Sequence, residues 1–288
     1  MPQTMTPLRY PGGKSQLAKF IKHTIEFNNL TDSIYCEPFC GGSGVAISLL
    51  LRNQVSSIIL NDLDTAIYSF WRAVLTETDR LTERINTVRV TMNTWHRQKN
   101  VFLNLRDNRD YSFELAFATF FLNRTNRSGI ITGGPIGGYE QDSDYKLECR
   151  FNRADLIKKI KNISVHREQI QLYHLDAIDL IHEVLLRQAP NRLFIYFDPP
   201  YYVQGKKLYK DSFDDEMHGS LADAIHELND YHWMATYDDV KRIRELYNDL
   251  QIREYSIRYS ANEKRQAKEI FFCSPATRVE DYDKVVFE

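Results

Sequence analysis

The chain has 288 residues, 43% of them hydrophobic, with 37 basic against 39 acidic side chains and a net charge of −2. That is enough chain and apolar content for one large α/β domain or for a domain carrying an inserted lobe. The near-neutral balance excludes a generic polyanion-binding protein, and no stretch approaches the roughly 18–20 apolar residues of a membrane span. Cys36, Cys40, Cys149 and Cys273 form no Cys-x-x-Cys pair and the histidines are scattered, so reduced thiols and no metal are expected. Met1-Pro2-Gln3-Thr4 opens neither a secretory nor a transit peptide, which makes the cytoplasm the expected location.

In chain order, the turn residues Pro11-Gly12-Gly13 lead into a helical pattern from Lys14 to about Asn28, with Leu17, Phe20, Ile21 and Ile25 on one face. Pro11-Gly12-Gly13-Lys14-Ser15 is not a phosphate loop, because Leu8 stands where that motif needs its first glycine and no buried strand precedes it. Strands follow around Ser33–Phe39 and Ser56–Asn61, separated by a helix over Gly44–Arg52 that is apolar nearly all round. Ala66 to Thr125 is helical in pattern. Residues 126–151 are polar and glycine-rich and read as a hairpin or mobile loop. Strand patterns resume at Gln169–Leu175, Leu193–Phe197, Trp233–Thr236, Gln251–Tyr259 and Lys268–Cys273, with helices such as Ala177–Leu186 and Leu221–Asn229 between them. The alternation predicts a doubly wound, mostly parallel α/β sheet, and the loop-linked last two strands predict an antiparallel edge hairpin.

Three constellations carry chemistry. Leu193–Phe197 ends in Asp198-Pro199-Pro200-Tyr201, which delivers a carboxylate, a proline carbonyl and an aromatic ring to the carboxyl edge of the sheet, where such folds bind ligands. A carboxylate and a carbonyl close together can take both N–H donors of an exocyclic amino group and leave its lone pair aimed at an electrophile. Glu37-Pro38-Phe39-Cys40-Gly41-Gly42-Ser43-Gly44 lies between the first strand and its helix, without the third glycine of a dinucleotide fingerprint. Asn61-Asp62 ends the second strand about 20 residues on, where an acid can hold a ribose diol. Seven basic side chains against three acids between Lys146 and Glu168, and five against two over 253–268, suit an enzyme that grips nucleic acid and releases it. From these residues alone the acceptor remains open among adenine N6, cytosine N4, an RNA base and a protein glutamine, with a non-catalytic DNA-binding module as the rival of another class.

Arg9-Tyr10-Pro11-Gly12-Gly13-Lys14, the Glu37–Gly44 segment, Asn61-Asp62 and Asp198-Pro199-Pro200-Tyr201, in that order, resemble the Dam-type DNA adenine-N6 methyltransferases over almost the whole chain. The resemblance implies an S-adenosylmethionine site formed by Tyr10, Lys14, Glu37, Phe39, Gly41, Asp62, Asp176 and Asp198. It makes Asp198, Pro199 and Tyr201 catalytic. It also implies a largely helical target-recognition lobe over 71–166 inserted into a catalytic domain of 1–70 and 167–288, in which Asn123-Arg124 with the glycine-rich stretch resembles the family's DNA-binding hairpin. Guanidinium chemistry, rather than the resemblance, makes Arg9, Arg124 and Arg127 candidate readers of a guanine beside the target adenine, with phosphate contact as the alternative. Tyr202–Met217, with Gly205, Lys206, Lys207 and Lys210, reads as a lid, and Ser260-Ala261-Asn262 with Lys268-Glu269-Ile270 matches the family's last hairpin. Gly133-Gly134-Pro135-Ile136-Gly137-Gly138 differs from the loop of GATC-methylating members, so no recognition sequence carries over, and Thr236-Tyr237-Asp238 departs from a more usual Ser-Asn. The implied partner is double-stranded DNA, with or without a cognate restriction enzyme. The implied setting is a bacterial or phage-encoded cytoplasmic protein, monomeric or weakly dimeric, without metal or membrane contact.

Overall fold

The computed structural model describes residues 4–9, 14–30, 32–203, 213–257 and 269–287. Strands β1 (Ile34–Glu37), β2 (Ser57–Asn61), β3 (Ile170–Tyr173), β4 (Leu193–Phe197) and β5 (His232–Asp238) lie parallel in the order β3-β2-β1-β4-β5. The order reverses between β1 and β4, and the crevice at that switch is where ligands bind in open sheets of this kind. β7 (Glu269–Cys273) adds antiparallel to β5, and β6 (Arg253–Ile257) pairs with β7. The expected antiparallel hairpin is present, but it is not the rim of the sheet. β8 (Val285–Phe287), three residues that the sequence pattern did not single out, pairs with β6 outside it.

Both sheet faces are covered. One core holds α8 (Ala177–Glu183), α9 (Asp215–His226) and α10 (Lys241–Leu246) against Cys36, Ile195, Phe197, Trp233 and Tyr237. The other collects α1 (Ala18–Phe27), α2 (Gly44–Leu51), α3 (Thr65–Thr76), α4 (Thr78–Thr87), α5 (Met92–Leu105), α6 (Phe113–Thr125) and α7 (Arg153–Val165) against Tyr35, Phe194, Tyr196 and Phe271. Alternate residues of β1 and β4 thus enter opposite cores, which is why these strands read as continuous apolar runs. The helices α4 to α7 share one apolar core with that face of the sheet, and Trp71, fully buried, sits within α3.

Residues 126–151 contain no regular hairpin ladder. Asn126 and Pro135 form an isolated bridge, and the loop closes instead on the Asn126 side chain, whose Nδ2 donates to the carbonyls of Ile130, Ile131 and Gly133 while its Oδ1 accepts from Trp95 Nε1 at 2.7 Å. Gln141 closes the far end, donating to the Ile136 and Gly138 carbonyls. Part of the basic run also serves the fold. Arg153 donates to the carbonyls of Ile85, Asn86 and Val88 at the end of α4, and Lys159 pairs with Asp155 one helical turn away. Lys146, Arg150, Lys158, Lys161 and Arg167 remain exposed.

Candidate active site

The strand ends at the switch point are tied together by one amide. Asn61, 1% exposed, donates from Nδ2 to the Pro38 and Leu175 carbonyls at 2.9 and 3.0 Å and accepts from the Leu175 backbone N–H at 2.9 Å. It thereby joins the loops after β1, β2 and β3. The glycine loop is held from behind: Trp71 Nε1 donates to the Gly41 carbonyl at 2.9 Å and Thr6 Oγ1 to the Gly42 carbonyl at 2.6 Å. Gly41 and Ser43 both have positive φ, of 44° and 46°, which sharpens the turn into α2 and holds Ser43 in a conformation that favours glycine.

Asp62 closes this loop. Its Oδ2 accepts from Gly41 N at 2.8 Å and from Cys40 Sγ at 3.9 Å, and its Oδ1 from Asp64 N at 3.0 Å, so Oδ1 keeps a lone pair for a ligand. Withdrawal from water and the nearby Asp64 push its carboxyl up to about 7, against the pull of these hydrogen bonds. The half-buried Phe39 ring stands near Phe213, edge to face at 6.2 Å, and Asp176 caps α8 by accepting from Ile178 N at 2.8 Å. A diol-binding acid, a tight glycine turn and an aromatic wall suit a cofactor with a ribose and a purine.

Glu37, expected beside that cofactor, faces inward. It is 6% exposed, and its Oε1 accepts from Ala46 N at 3.0 Å and from Tyr35 OH at 3.1 Å, bracing the first turn of α2 where Ser43 makes no side-chain cap. Burial pushes its carboxyl up to about 8 despite those donors. Lys14 stands at the Asp198 end of the expected cofactor group. Its ammonium is at the catalytic motif, 3.8 Å from Asp198 Oδ1, 2.7 Å from Glu269 Oε2 and bonded to the Tyr201 hydroxyl, 5.0 Å from the centre of that ring. Tyr10 lies outside the described residues, as do 204–212 of the expected lid and Ser260-Ala261-Asn262.

Around Asp198 the contacts among the described residues fall on one oxygen. Thr236 Oγ1 donates to Oδ1 at 3.0 Å and itself takes a hydrogen bond from Tyr196 OH at 2.8 Å, and Lys14 approaches the same Oδ1. Burial raises the Asp198 carboxyl above the ordinary range, Lys14 and Thr236 draw it back down, and Glu269 pushes it up again. Asp238, at the end of β5, accepts from Tyr202 N and Val203 N at 2.9 and 2.8 Å and so sets the path of the chain after Pro199-Pro200. Thr236, Asp238 and Glu269 lie in the segments Thr236-Tyr237-Asp238 and Lys268-Glu269-Ile270 that the family resemblance marked, but none of the three was given a role at the site. Asp238 carried a second signal, an acid closing an apolar strand, the same pattern that marks Asp198.

The DNA-binding candidates divide. Asn123 is fully buried, accepting from Arg9 N at 2.8 Å and donating to the Arg9 and Gly129 carbonyls at 2.6 and 2.9 Å, so it braces the loop rather than facing solvent. Arg9 reaches the Asn126 carbonyl at 3.2 Å. Arg124 bonds the Arg150 and Pro7 carbonyls, and burial together with Arg9 lowers its guanidinium to about 10, still charged at neutral pH. Arg127 alone of the four is exposed. Among the described residues no His, Cys, Asp and Glu cluster could hold a metal ion, and no helix is long and apolar enough to cross a membrane.

A doubly wound sheet with a glycine turn at its switch point and a Lys-flanked Asp-Pro-Pro-Tyr at the next strand end defines a methyltransferase of the amino-group type. Residues 10–262 match the profile of the D12 class N6 adenine-specific DNA methyltransferases, and the chain belongs to that family. It is 25% identical over 211 residues to the type II methyltransferase M.MjaIII of Methanocaldococcus jannaschii, which covers 67% of this chain and 68% of that one. Similar solved structures include the rRNA methyltransferase aviRa from Streptomyces viridochromogenes, at 14% identity and a TM-score of 0.41 over 93% of this chain and 87% of that one. Another is SMU.472 complexed with SAH, at 13% identity and a TM-score of 0.39 over 94% of this chain and 55% of that one. At these scores the sheet topology, not the neighbours, carries the fold assignment. The activity is methylation of adenine N6 in DNA with S-adenosylmethionine as methyl donor, and the family selects adenine from the acceptors that the residues alone left open.

Proposed function

We propose that the enzyme extrudes its target adenine from the duplex and presents N6 to Asp198, with Tyr201 stacked on the base. A methyl donor at the sheet edge cannot reach N6 inside the stack, so the base must leave it. The observation that carries this reading is the one-sided engagement of Asp198: Thr236 and Lys14 occupy Oδ1, which leaves Oδ2 as the acceptor for one N6 hydrogen, while the Pro199 carbonyl takes the other. With both hydrogens held, the nitrogen lone pair is turned out of conjugation with the ring, and catalysis is mostly positioning and electrostatics. S-adenosylmethionine, when bound, supplies an electrophilic methyl on a sulfonium that departs as a neutral thioether. Asp62 would hold its ribose, Phe39 and Asp176 would flank its adenine, and the Gly41 turn would give its amino-acid end close approach to the backbone. After transfer Asp198 is the nearest base for the proton leaving N6.

Target recognition belongs, on this reading, to the insertion 71–166, and 1–70 with 167–288 form the catalytic part. Support comes from the loop hung on Asn126, which carries the exposed Arg127 at the end of α6. Arg9 and Arg124 then brace that loop, and Asn123 acts through Arg9 and Gly129. The type II designation of the relative from Methanocaldococcus jannaschii suggests a setting beside a cognate restriction enzyme. We place the protein in the cytoplasm with its DNA, bacterial or phage-encoded, as a monomer or weak dimer.

The test is single-turnover methylation of duplex DNA by Asp198→Asn, with cofactor and DNA affinities measured alongside. The expected loss is about 10²–10⁴-fold in rate with both affinities nearly unchanged. A variant that keeps the wild-type rate with saturating DNA overturns the assignment.

A further inference from the structure

One carboxylate in the site has no part in the chemistry above. Glu269 of β7 stands directly opposite Asp238 of β5 and Tyr255 of β6 in the antiparallel register. Its Oε2 accepts from Lys14 Nζ at 2.7 Å and from the Tyr255 hydroxyl, with a side chain only 16% exposed. Of the two described carboxylates within 4 Å of it, the ammonium lies at hydrogen-bond distance from Glu269 and not from Asp198. At 3.8 Å from Asp198 it contributes charge without forming a hydrogen bond.

We propose that Glu269 is a positioning residue for methyl transfer: with Tyr255 it holds the Lys14 ammonium back from Asp198, so that Asp198 is stabilised as a carboxylate yet keeps an oxygen for the adenine amino group. The proposal rests on the reading of Asp198 as the amino acceptor. Among the described residues, two carboxylates share this one ammonium, an arrangement that favours the cationic character that develops on N6 as the methyl arrives. Without Glu269 the ammonium closes on Asp198, neutralises it and takes up its acceptor capacity.

The charged and titratable groups that face this cluster are Lys14 from the segment before α1, Tyr35 and Glu37 from β1, Tyr196 from β4, and Asp198 and Tyr201 from the turn after it. Tyr237 and Asp238 of β5, Tyr255 of β6 and Glu269 itself complete the set among the described residues. Removing the Glu269 charge withdraws a repulsion from Asp198 and frees Lys14 to approach it, and both effects make Asp198 harder to protonate. A slower enzyme that tolerates acid better is the resulting signature, which a bracing role for Glu269 would not produce.

The experiment measures the single-turnover rate against pH for the full chain and for Glu269→Gln, Glu269→Asp, Tyr255→Phe, Lys14→Met and Asp198→Asn. S-adenosylmethionine affinity by calorimetry and thermal melting are recorded for each. Glu269→Gln is expected to lose about tenfold in rate at neutral pH while the acid limb moves down by about one pH unit. Tyr255→Phe changes both in the same direction by less, Glu269→Asp stays nearer the wild type than Glu269→Gln, and Lys14→Met moves the acid limb upward. Cofactor affinity stays within about twofold throughout the Glu269 and Tyr255 variants. An acid limb that stays in place or rises in Glu269→Gln overturns the proposal, as does a rate loss that follows only melting temperature or cofactor affinity. If Glu269→Gln does not fold, the acid limbs of Tyr255→Phe and Glu269→Asp decide by the same criterion. An active Asp198→Asn would instead overturn the acceptor reading, whatever Glu269→Gln does.

Discussion

Two loops of this enzyme are organised by a buried asparagine, and they differ in what surrounds it. Asn61 ties the cofactor loop to strand ends that the sheet already fixes, and its three hydrogen bonds adjust elements that hydrogen-bonded ladders hold in register. Asn126 stands past the end of α6 with no ladder beside it, and the loop it carries is folded by its own amide, Trp95 and the close approach of Gly129 to Arg9. The same side chain therefore refines geometry in one place and creates it in the other. A chemical site common to a family fits the first arrangement, and a reading surface that changes between relatives fits the second.

Replacing each asparagine by alanine breaks or sharpens this contrast with the largest effects. Asn126→Ala removes the amide donor from three half-buried carbonyls, of which Ile130 keeps the Gly133 N–H and Ile131 keeps Lys99, and the acceptor from the Trp95 N–H, for a loss on the order of 2–3 kcal/mol in chemical denaturation. It should erase sequence discrimination while cofactor affinity survives in calorimetry. Asn61→Ala should do the reverse, weakening cofactor binding and sparing the DNA preference. If both variants lose both properties equally, the two loops are not independent.

Next in size is Asp62→Ala, expected to weaken cofactor binding by about 2–4 kcal/mol through the loss of charge-assisted hydrogen bonds to the ribose. In the unmodified protein, affinity should also strengthen as pH rises through about 7, since the ionised carboxylate is the better acceptor. Asp62→Asn should flatten that rise.

Glu37 gives a smaller effect on stability alone. Its carboxyl titrates at about 8 in the fold against 4.5 ordinarily, so the folded state binds that proton more tightly. The stability this contributes is complete below about pH 4.5 and is lost as pH rises through about 8. Melting temperatures of Glu37→Gln should accordingly fall less between those limits than those of the wild type.

Smallest is Arg127→Ala. If this guanidinium grips a phosphate, the variant lowers all methylation rates alike and reduces the salt slope by about 1, whereas removal of a guanine reader relaxes one flanking position. Arg124→Ala, whose guanidinium caps backbone carbonyls, should lower the melting temperature as well.

The strands nearest the site were legible because burial on both faces writes them as unbroken apolar runs, as in Leu193–Phe197. The acids that close β2 and β4 were legible for the same reason, since a charge stands out at the end of such a run. β8 was not, since Val285-Val286-Phe287 is too short to show a period and becomes a strand only because β6 offers it an unpaired edge. The partnership of Lys14 with Glu269 joins residues 255 positions apart through a side-chain contact, which no local pattern encodes. The Asn126 hub was hidden too, because its partners are backbone carbonyls that every sequence possesses.

Gly129 has a consequence for how such enzymes could trade specificities. At φ +79°, with an added Cβ only 2.3 Å from the Arg9 carbonyl oxygen, it lets the leading segment and the loop touch backbone to backbone. Neither piece can be replaced without disturbing the other, so a chimera that takes the loop from a relative must take the matching residues 4–9 with it. On the proposed reading of this loop, specificity is inherited as a matched pair of segments more than a hundred residues apart in the chain.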